Sequence, residues 1–435
     1  MRTNVWFHIA SFLTAFALLT IPFVSTLAQD EVALLPANAN TFVPAAAPLG
    51  DLLSLVSEGN MRQHITNLQN MGTRHVNSSL NTAGEGIGGA AMYITQQFES
   101  GCADTSPVQV SAQPFYAEFN GRMSEQQNII ATLPGSDASA GTIIVGAHYD
   151  SISTDFNDAY AFAPGANDNA SGVAGLLELS RILCGQTHRA TLMFVAFAAE
   201  EVNKQGSRAF VRDVVTAGNM QVKAMINLDI IGGSMGANGD MNPNQIRLFS
   251  DAPEGMSDSS SRQLARLISQ ICHNNNVPLE VVMQDRGDRP GRYGDHLSFS
   301  ERGYPAVRFI EAVEHPNNQH SAMDTLNYLQ PGYMGSAAQV VLATVFVLAN
   351  GTFSPQMTVG SDAMLTWQPD PDAVSYVVSA RMPGGLTYDQ QFEVTTPQIA
   401  LDTLIATGYT SVSIASRDAS GVVGQPSMDW AFSGV

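Results

Sequence analysis

Glu200 and Glu201 stand side by side at the end of the apolar run Thr191-Leu-Met-Phe-Val-Ala-Phe-Ala198. Upstream lie His148-Tyr-Asp150 and the loop Gly165-Ala-Asn-Asp168-Asn-Ala-Ser-Gly172, and downstream lie Asn227-Leu-Asp229 and His320. Together these supply two imidazoles and several carboxylates. Zinc accepts imidazole nitrogen and carboxylate oxygen, and a catalytic site keeps one position open for water. Where two metals sit close together, one carboxylate can bridge them while both polarise a shared water. Two imidazoles and three carboxylates exceed what one tetrahedral site can use, so the set fits a pair of zinc ions in a hydrolase.

Such residues are useful only if the fold gathers them. Thr142-Ile-Ile-Val-Gly-Ala, Thr191 to Ala198 and Val222 to Leu228 are continuous apolar runs, the pattern of strands buried on both faces. Helical spacing covers Gly172 to Leu183, Gly206 to Val215, Ser259 to His273 and Tyr333 to Ala349, and Ala306 to Glu311 reads as a further strand. Alternation of this kind predicts an α/β fold, a twisted, mostly parallel sheet with helices on both faces. In such a sheet the loops after the strands converge on one crevice. His148 ends one buried strand, the Glu pair follows the next, and Asp229 ends the third, while Asp168 lies on the loop entering the helix at Gly172.

Neighbouring residues of an extended chain point in opposed directions, so Glu200 and Glu201 divide their work. One binds metal while the other faces the water and can move its proton. Asp150, two residues after His148, is placed to accept the second imidazole N–H and fix the tautomer. Taken singly, each signal has a plainer meaning. A His-x-Asp at a strand end is often a surface hydrogen bond, and a Glu-Glu pair is usually a solvated face. The glycines of Gly165–Gly172 make a tight helix entry, where Asn169 and Ser171 offer caps. His315 rivals His320, and the spacing to Asp324-Thr favours His320. Tyr293 is either a donor to a tetrahedral intermediate or a packing residue.

The ordered set His148-x-Asp150, Gly-Ala-x-Asp168-Asn-Ala-Ser-Gly, Glu200-Glu201 and Asn-Leu-Asp229 resembles the co-catalytic di-zinc aminopeptidases of the bacterial leucyl aminopeptidase type. Asp295-His-x-x-Phe-x-x-x-Gly-x-Pro-Ala and His320-x-x-x-Asp324-Thr extend the resemblance, which spans roughly residues 51–350. It implies that Asp168 bridges two zinc ions, with His148 and Asp229 completing one and Glu201 and His320 the other. Glu200 would be the general base, and a metal-bound hydroxide would attack the first peptide carbonyl. Peptide or protein N-termini are then the expected substrates. Val202-Asn-Lys-Gln205 departs from the apolar, glycine-containing stretch common in relatives, while Gly206-Ser207 is retained. A carboxypeptidase of the same fold is the nearest rival, with Arg286, Arg289 and Arg292 as candidates for a terminal carboxylate. Glutaminyl cyclases share the fold with one zinc, and the His148-x-Asp150 pair argues against them. A binding or receptor domain that lost catalysis is a third reading, opposed by the full ligand set.

The chain has 435 residues, 44% hydrophobic and 14% charged, which suits two domains and a sizeable core. Its formal net charge of −19 excludes a nucleic-acid partner, since phosphate backbones need clustered Lys and Arg. Met1-Arg2 precedes an apolar stretch from Val5 to about Val24, and Thr26-Leu-Ala28 supplies small residues for cleavage after Ala28. A signal peptide over 1–28 and a secreted, periplasmic or extracellular location are therefore expected, an uncleaved anchor being the alternative. No later segment reads as apolar enough to span a membrane. Of the three cysteines, Cys102, Cys184 and Cys272, the first two each fall between a helix and a strand and could share a sheet edge. Residues 29–50 read as a linker or pro-segment and 51–352 as the catalytic domain. Residues 353–435 carry short alternating runs around Trp367, Tyr376 and Ala415–Gly421 that resemble a fibronectin type III β-sandwich. This module is a candidate for contact with a surface or polymer.

Overall fold

A computed structural model describes residues 33–34, 47–102, 108–250, 259–289, 292–351, 355–360 and 362–432. The expected signal segment 1–28, most of the 29–50 linker and the boundary at 352–353 lie outside the described residues. A two-residue strand, β1 (Ala33–Leu34), precedes helices α1 (Ala47–Ser54), α2 (Glu58–Gln69) and α3 (Gly86–Gly101). The hairpin β2 (Gln109–Phe119) and β3 (Arg122–Leu133) leads into β4 (Thr142–His148), α4 (Gly172–Leu183), β5 (Thr191–Phe197), α5 (Gln205–Phe210) and β6 (Val222–Leu228). Then come β7 (Gln245–Phe249), α6 (Ser260–Asn274), β8 (Glu280–Met283), α7 (His296–Ser300), β9 (Ala306–Glu311) and α8 (Tyr333–Asn350).

Eight strands form one sheet in the order β2-β3-β5-β4-β6-β9-β7-β8. The central pairs β5–β4, β4–β6 and β6–β9 are parallel, as is β7–β8, whereas β2–β3, β3–β5 and β7–β9 are antiparallel. The fold is thus α/β and mostly parallel, as the alternation predicts. After its first residue every position of β4, β5 and β9 is buried, which is why their sequences run apolar without alternation. β2 and β8 are the two edges, and β2 carries Pro114 opposite Gln127.

The structure departs from the sequence reading in three places. The helix expected over Gly206 to Val215 is α5 only to Phe210, followed by a wider turn over Val211–Thr216. β7 and β8 were not legible, because their short runs include Arg247 and Glu280 and β8 has only four residues. Finally, α8 is long and apolar enough to cross a membrane by length and composition. It is apolar all round because it is a core helix: Ala337, Val340, Val341, Leu342 and Val345 are fully buried and pack in the main core cluster.

Cys102 and Cys184 are joined by a disulfide that ties the end of α3 to the end of α4, and Cys272 is a buried free thiol. Beyond α8 lie β10 (Met357–Val359), β11 (Met364–Trp367), β12 (Ala373–Arg381), β13 (Gln390–Val394), β14 (Gln398–Ala400), α9 (Leu401–Ala406), β15 (Ser411–Asp418) and β16 (Trp430–Ala431). They make two antiparallel sheets, β1-β13-β12-β15-β16 and β10-β11-β14. Trp367 packs edge-on against Tyr376, ring centroids 5.3 Å apart. These sheets are fastened to α6: Asn275 exchanges two hydrogen bonds with the Val423 backbone, both 3.2 Å, and Arg266 Nε donates to Leu386 O at 3.1 Å. Residues 33–435 form one compact unit.

Candidate metal centre

The carboxyl ends of β5, β4, β6 and β9 share one edge of the sheet. His148 is the last residue of β4, and Asp229 directly follows β6. Glu200 and Glu201 come after Ala198-Ala199 beyond β5, and the segment after β9 returns with His320. Ala199, Ile230 and His320 have φ of 60°, 65° and 55°. Left-handed backbone at non-glycine residues costs about 1–3 kcal/mol each and clusters at functional sites. Here each such residue is a ligand candidate or adjoins a carboxylate of the site.

The Asp168 loop is held on several sides. Asp324 accepts the N–H of Asn167 at 2.8 Å and of Asp168 at 2.9 Å. Asn169 Oδ1 accepts Gly172 N–H at 3.0 Å, capping α4, and Ile230 N–H at 3.1 Å, while its Nδ2 donates to Leu228 O at 2.9 Å. Asn169 therefore fixes the Asp168 loop against the Asp229 segment. Ser171, the other candidate cap, instead donates to Asn167 O and accepts Ile231 N–H.

Beneath the loop lies Arg74, fully buried, whose Nε donates to Tyr149 O at 2.7 Å. Its Nη atoms donate to Pro164 O at 2.6 Å, Gly165 O at 2.9 Å and Leu68 O at 3.3 Å. Gly165 has φ +51°, and a Cβ there would fall 2.6 Å from Arg74 Nη2. The turn therefore requires glycine. Arg74 spans the segment leaving His148 and the segment reaching Asp168.

The five ligand candidates meet. His148 Nε2 lies 3.3 Å from Asp168 Oδ1 and 3.6 Å from Asp229 Oδ1. His320 Nε2 lies 3.4 Å from Asp168 Oδ2 and 3.0 Å from Glu201 Oε2. Donor atoms around a tetrahedral zinc, with bonds of about 2.0–2.1 Å, stand roughly 3.3 Å apart. The spacing fits that demand twice over, and the two oxygens of Asp168 face one imidazole each. His148, Asp168 and Glu201 also offer ligand atoms all within 4.8 Å of one another. Glu201 Oε1 is buried without a hydrogen-bond partner, an acceptor left over for a cation. His315 takes no part, lining a separate small cavity with Glu311 and Asn318.

The electrostatics ask for positive charge. Burial opposes a charged His148, but Asp150, Asp168 and Asp229 overcome it and hold its pKa well above the ordinary imidazole value. The Glu201 charge, aided by Asp168 against burial, pushes His320 up to about 11. Asp168 resists its own burial through bonds from both imidazoles, which keep it well below the usual carboxylate range. The carboxylates around the two imidazoles thus favour positive charge at this centre, which a metal ion would supply. Glu200 binds no imidazole. Burial raises its pKa well above normal, partly offset by His148 and reinforced by Asp295, Glu201 and Asp229.

Asp150 has a second task that its spacing did not reveal. Its Oδ1 stands 3.5 Å from His148 Nδ1, and its two oxygens accept the N–H of Glu200 at 3.0 Å and of Glu201 at 3.1 Å. It therefore sets the orientation of the Glu pair as well as the imidazole. Asp295 is fully buried, and burial raises it to about 7. Arg308 donates to Asp229 Oδ2 at 3.4 Å and is tied to Asp288. Arg74 and Arg308 escaped the sequence reading because a lone arginine carries no spacing signal.

Three comparisons bear on this geometry. The sequence model of peptidase family M28 matches residues 128–345. A "Probable zinc metalloprotease" of Pyricularia oryzae is 32% identical over 404 residues, covering 81% of this chain and 80% of its own. A protein of the same description from Pyrenophora tritici-repentis is 35% identical over 338 residues, covering 71% of this chain and 77% of its own. Among solved structures, the Legionella pneumophila LapA aminopeptidase superposes with TM-score 0.53 at 22% identity, covering 70% of this chain and 75% of its own. The aminopeptidase from Aneurinibacillus sp. strain AM-1 gives TM-score 0.53 at 18% identity, covering 69% and 96%. At these identities the structural likeness speaks to the fold.

Proposed function

The chain belongs to peptidase family M28 and is a zinc metallopeptidase, and from that premise we propose an exported aminopeptidase that works with two zinc ions. The observation that carries the two-metal reading is Asp168, whose separate oxygens face separate imidazoles at 3.3 and 3.4 Å. His148 and Asp229 would hold one ion, Glu201 and His320 the other. Two such ions supply a polarised water and a polarised scissile carbonyl.

The rest falls to side chains. Glu200, kept apart from the imidazoles and basic by its surroundings, takes a proton from the attacking water and returns it to the leaving amine. Asp150 keeps the His148 ring and the Glu200 backbone in place for that transfer. Cleavage at the amino end is supported by charge. Buried acids crowd the site. Of the arginines that could meet a terminal carboxylate, Arg289 bonds Glu314 and Arg286 lies at the surface beside Asp285. Arg292 bonds Glu314 while its Nη1 stands 3.9 Å from Asp168 Oδ2. Proteins that share this fold include aminopeptidases from Aneurinibacillus and Legionella pneumophila. Export follows from the apolar leader ending at Ala28, and the C-terminal sheets, read as fibronectin type III-like, are a candidate for contact with a surface or polymer.

The deciding experiment is zinc content combined with hydrolysis of amino-acid arylamides and of N-blocked peptides. Two zinc ions per chain and cleavage of unblocked substrates only are expected. One metal at full activity refutes the bridged pair, and cleavage of N-blocked peptides from the carboxyl end establishes the carboxypeptidase.

A further inference from the structure

The segment joining His148 to Asp168 carries three exposed aromatic rings, Phe156 (50%), Tyr160 (78%) and Phe162 (54%). Rings of this size bury about 150–250 Å² each when covered, so three on one loop form an uncovered apolar surface. The loop is pinned. His75 Nε2 donates to Phe156 O at 3.2 Å, its tautomer set because Nδ1 accepts Asn77 N–H at 3.0 Å. Ala163 N donates to Gly72 O and Ser151 Oγ to Ala163 O, both at 2.8 Å. Asp155 and Asp158 cap its turns through the N–H groups of Asn157 and Tyr160. Rings held this way need little ordering when something binds them.

The surface begins at the metal centre. Phe156 meets the His320 imidazole edge-on, ring centroids 6.2 Å apart. Tyr160, Phe162 and Met71 line a cavity of about 170 Å³ together with the polar Thr73, Ser78, Ser79 and Glu85. Sites for whole small molecules run to ~300–1,000 Å³, so this one has room for a single side chain. We infer that the loop is a binding wall for the polypeptide that continues past the scissile bond, and that its cavity takes one large apolar side chain of that polypeptide. The inference rests on the aminopeptidase reading. With the N-terminal residue at the carboxylates, the remaining chain leaves across the rim of the site, and there the rim is aromatic. The enzyme would select substrates by a residue downstream of the bond it cuts.

The test uses full-length, zinc-loaded protein carrying Glu200→Gln, so that peptides bind and persist. Leu-started peptides of two to five residues, otherwise glycine, carry Phe at each downstream position in turn, and binding is measured by calorimetry. At one position Phe is expected to tighten binding about tenfold or more over Gly, which is 1.4 kcal/mol. Tyr160→Ser with Phe162→Ser, both at exposed positions, should abolish that gain. Equal binding of Phe and Gly peptides at every position overturns the inference, as does a gain that survives the double substitution. Failure of the aminopeptidase reading is seen separately, as wild-type protein that releases the C-terminal residue of these peptides, or cleaves none of them, while the Phe-dependent binding remains.

Discussion

Arg74→Met keeps the apolar stem of the side chain and removes the guanidinium that spans the two ligand-bearing segments. Burial lowers the Arg74 pKa to about 10, with nearby Asp324, Asp150 and Asp168 opposing the shift. The group is therefore charged at neutral pH, and its bonds to Tyr149 O, Pro164 O and Gly165 O at 2.6–2.9 Å are charge-assisted. Such bonds contribute about 1.5–3 kcal/mol each. Three at the low end of that range give about 4–5 kcal/mol lost, with the Tyr149 and Pro164 carbonyls left without a donor while Gly165 O keeps the Ala170 N–H at 3.0 Å. A domain holds roughly 5–15 kcal/mol in all, so the variant should fold in the cold and unfold at much lower urea. The loosened segments carry His148 and Asp168, so zinc affinity should also fall, by the roughly 10–100-fold typical of losing a group that orients ligands. Urea unfolding of metal-loaded and chelated protein, with competitive chelator titration, measures both quantities. Zinc affinity within about twofold of wild type would show that Arg74 merely fills the core, and a stability loss under about 1 kcal/mol would refute the bond count.

Glu200→Gln should leave zinc content intact and cut turnover about 10²–10⁴-fold, whereas Glu201→Gln should lose zinc. Metal analysis beside kcat separates the two, and the reverse pattern exchanges their roles. Truncation after Gly351 removes the Asn275–Val423 and Arg266–Leu386 bonds, which involve none of the ligand residues. Its Tm should drop while arylamide turnover per zinc-loaded, soluble chain stays near wild type, and an inactive one would place the C-terminal sheets in the site. Reducing the Cys102–Cys184 bond, whose cysteines are 82 residues apart, should cost about 4–5 kcal/mol by loop closure, read as a fall in thermal midpoint.

Of the ligand candidates, His148, Asp229 and Glu201 were legible because each ends or follows an apolar strand run with a residue that a buried strand end does not otherwise tolerate. Asp168 and His320 were legible instead from the helix-entry loop and from the spacing to Asp324-Thr. His148, Asp229 and the Glu pair all gave that signal, and the parallel order of their strands followed from alternation. The supports were not legible. Arg74 sits in the loop Gly72-Thr-Arg-His75, and only tertiary proximity makes its neighbours the carbonyls of Tyr149 and Pro164. Asp324 belonged to a recognised pattern, yet its grip on two N–H groups of the Asp168 loop depends on a fold that returns the segment after β9 to the start of α4. His75 lacked any partner spacing, because its partner is the backbone of Phe156. Short strands such as β8, and the point where α5 widens at Val211, are set by packing more than by pattern.

An open sheet has two ends, and unpaired strands there invite copies of the same chain to add on and polymerise. Both ends here are blunted. Pro114 leaves the middle of β2 without an N–H to offer, and the strand carries Glu118 besides. At the far side β8 is only four residues long and begins with Glu280. A proline in a strand is tolerated at an edge and refuses further pairing. Concentrated solutions of the folded protein should therefore resist fibre formation by strand addition, and self-association, where it occurs, should run through side-chain surfaces.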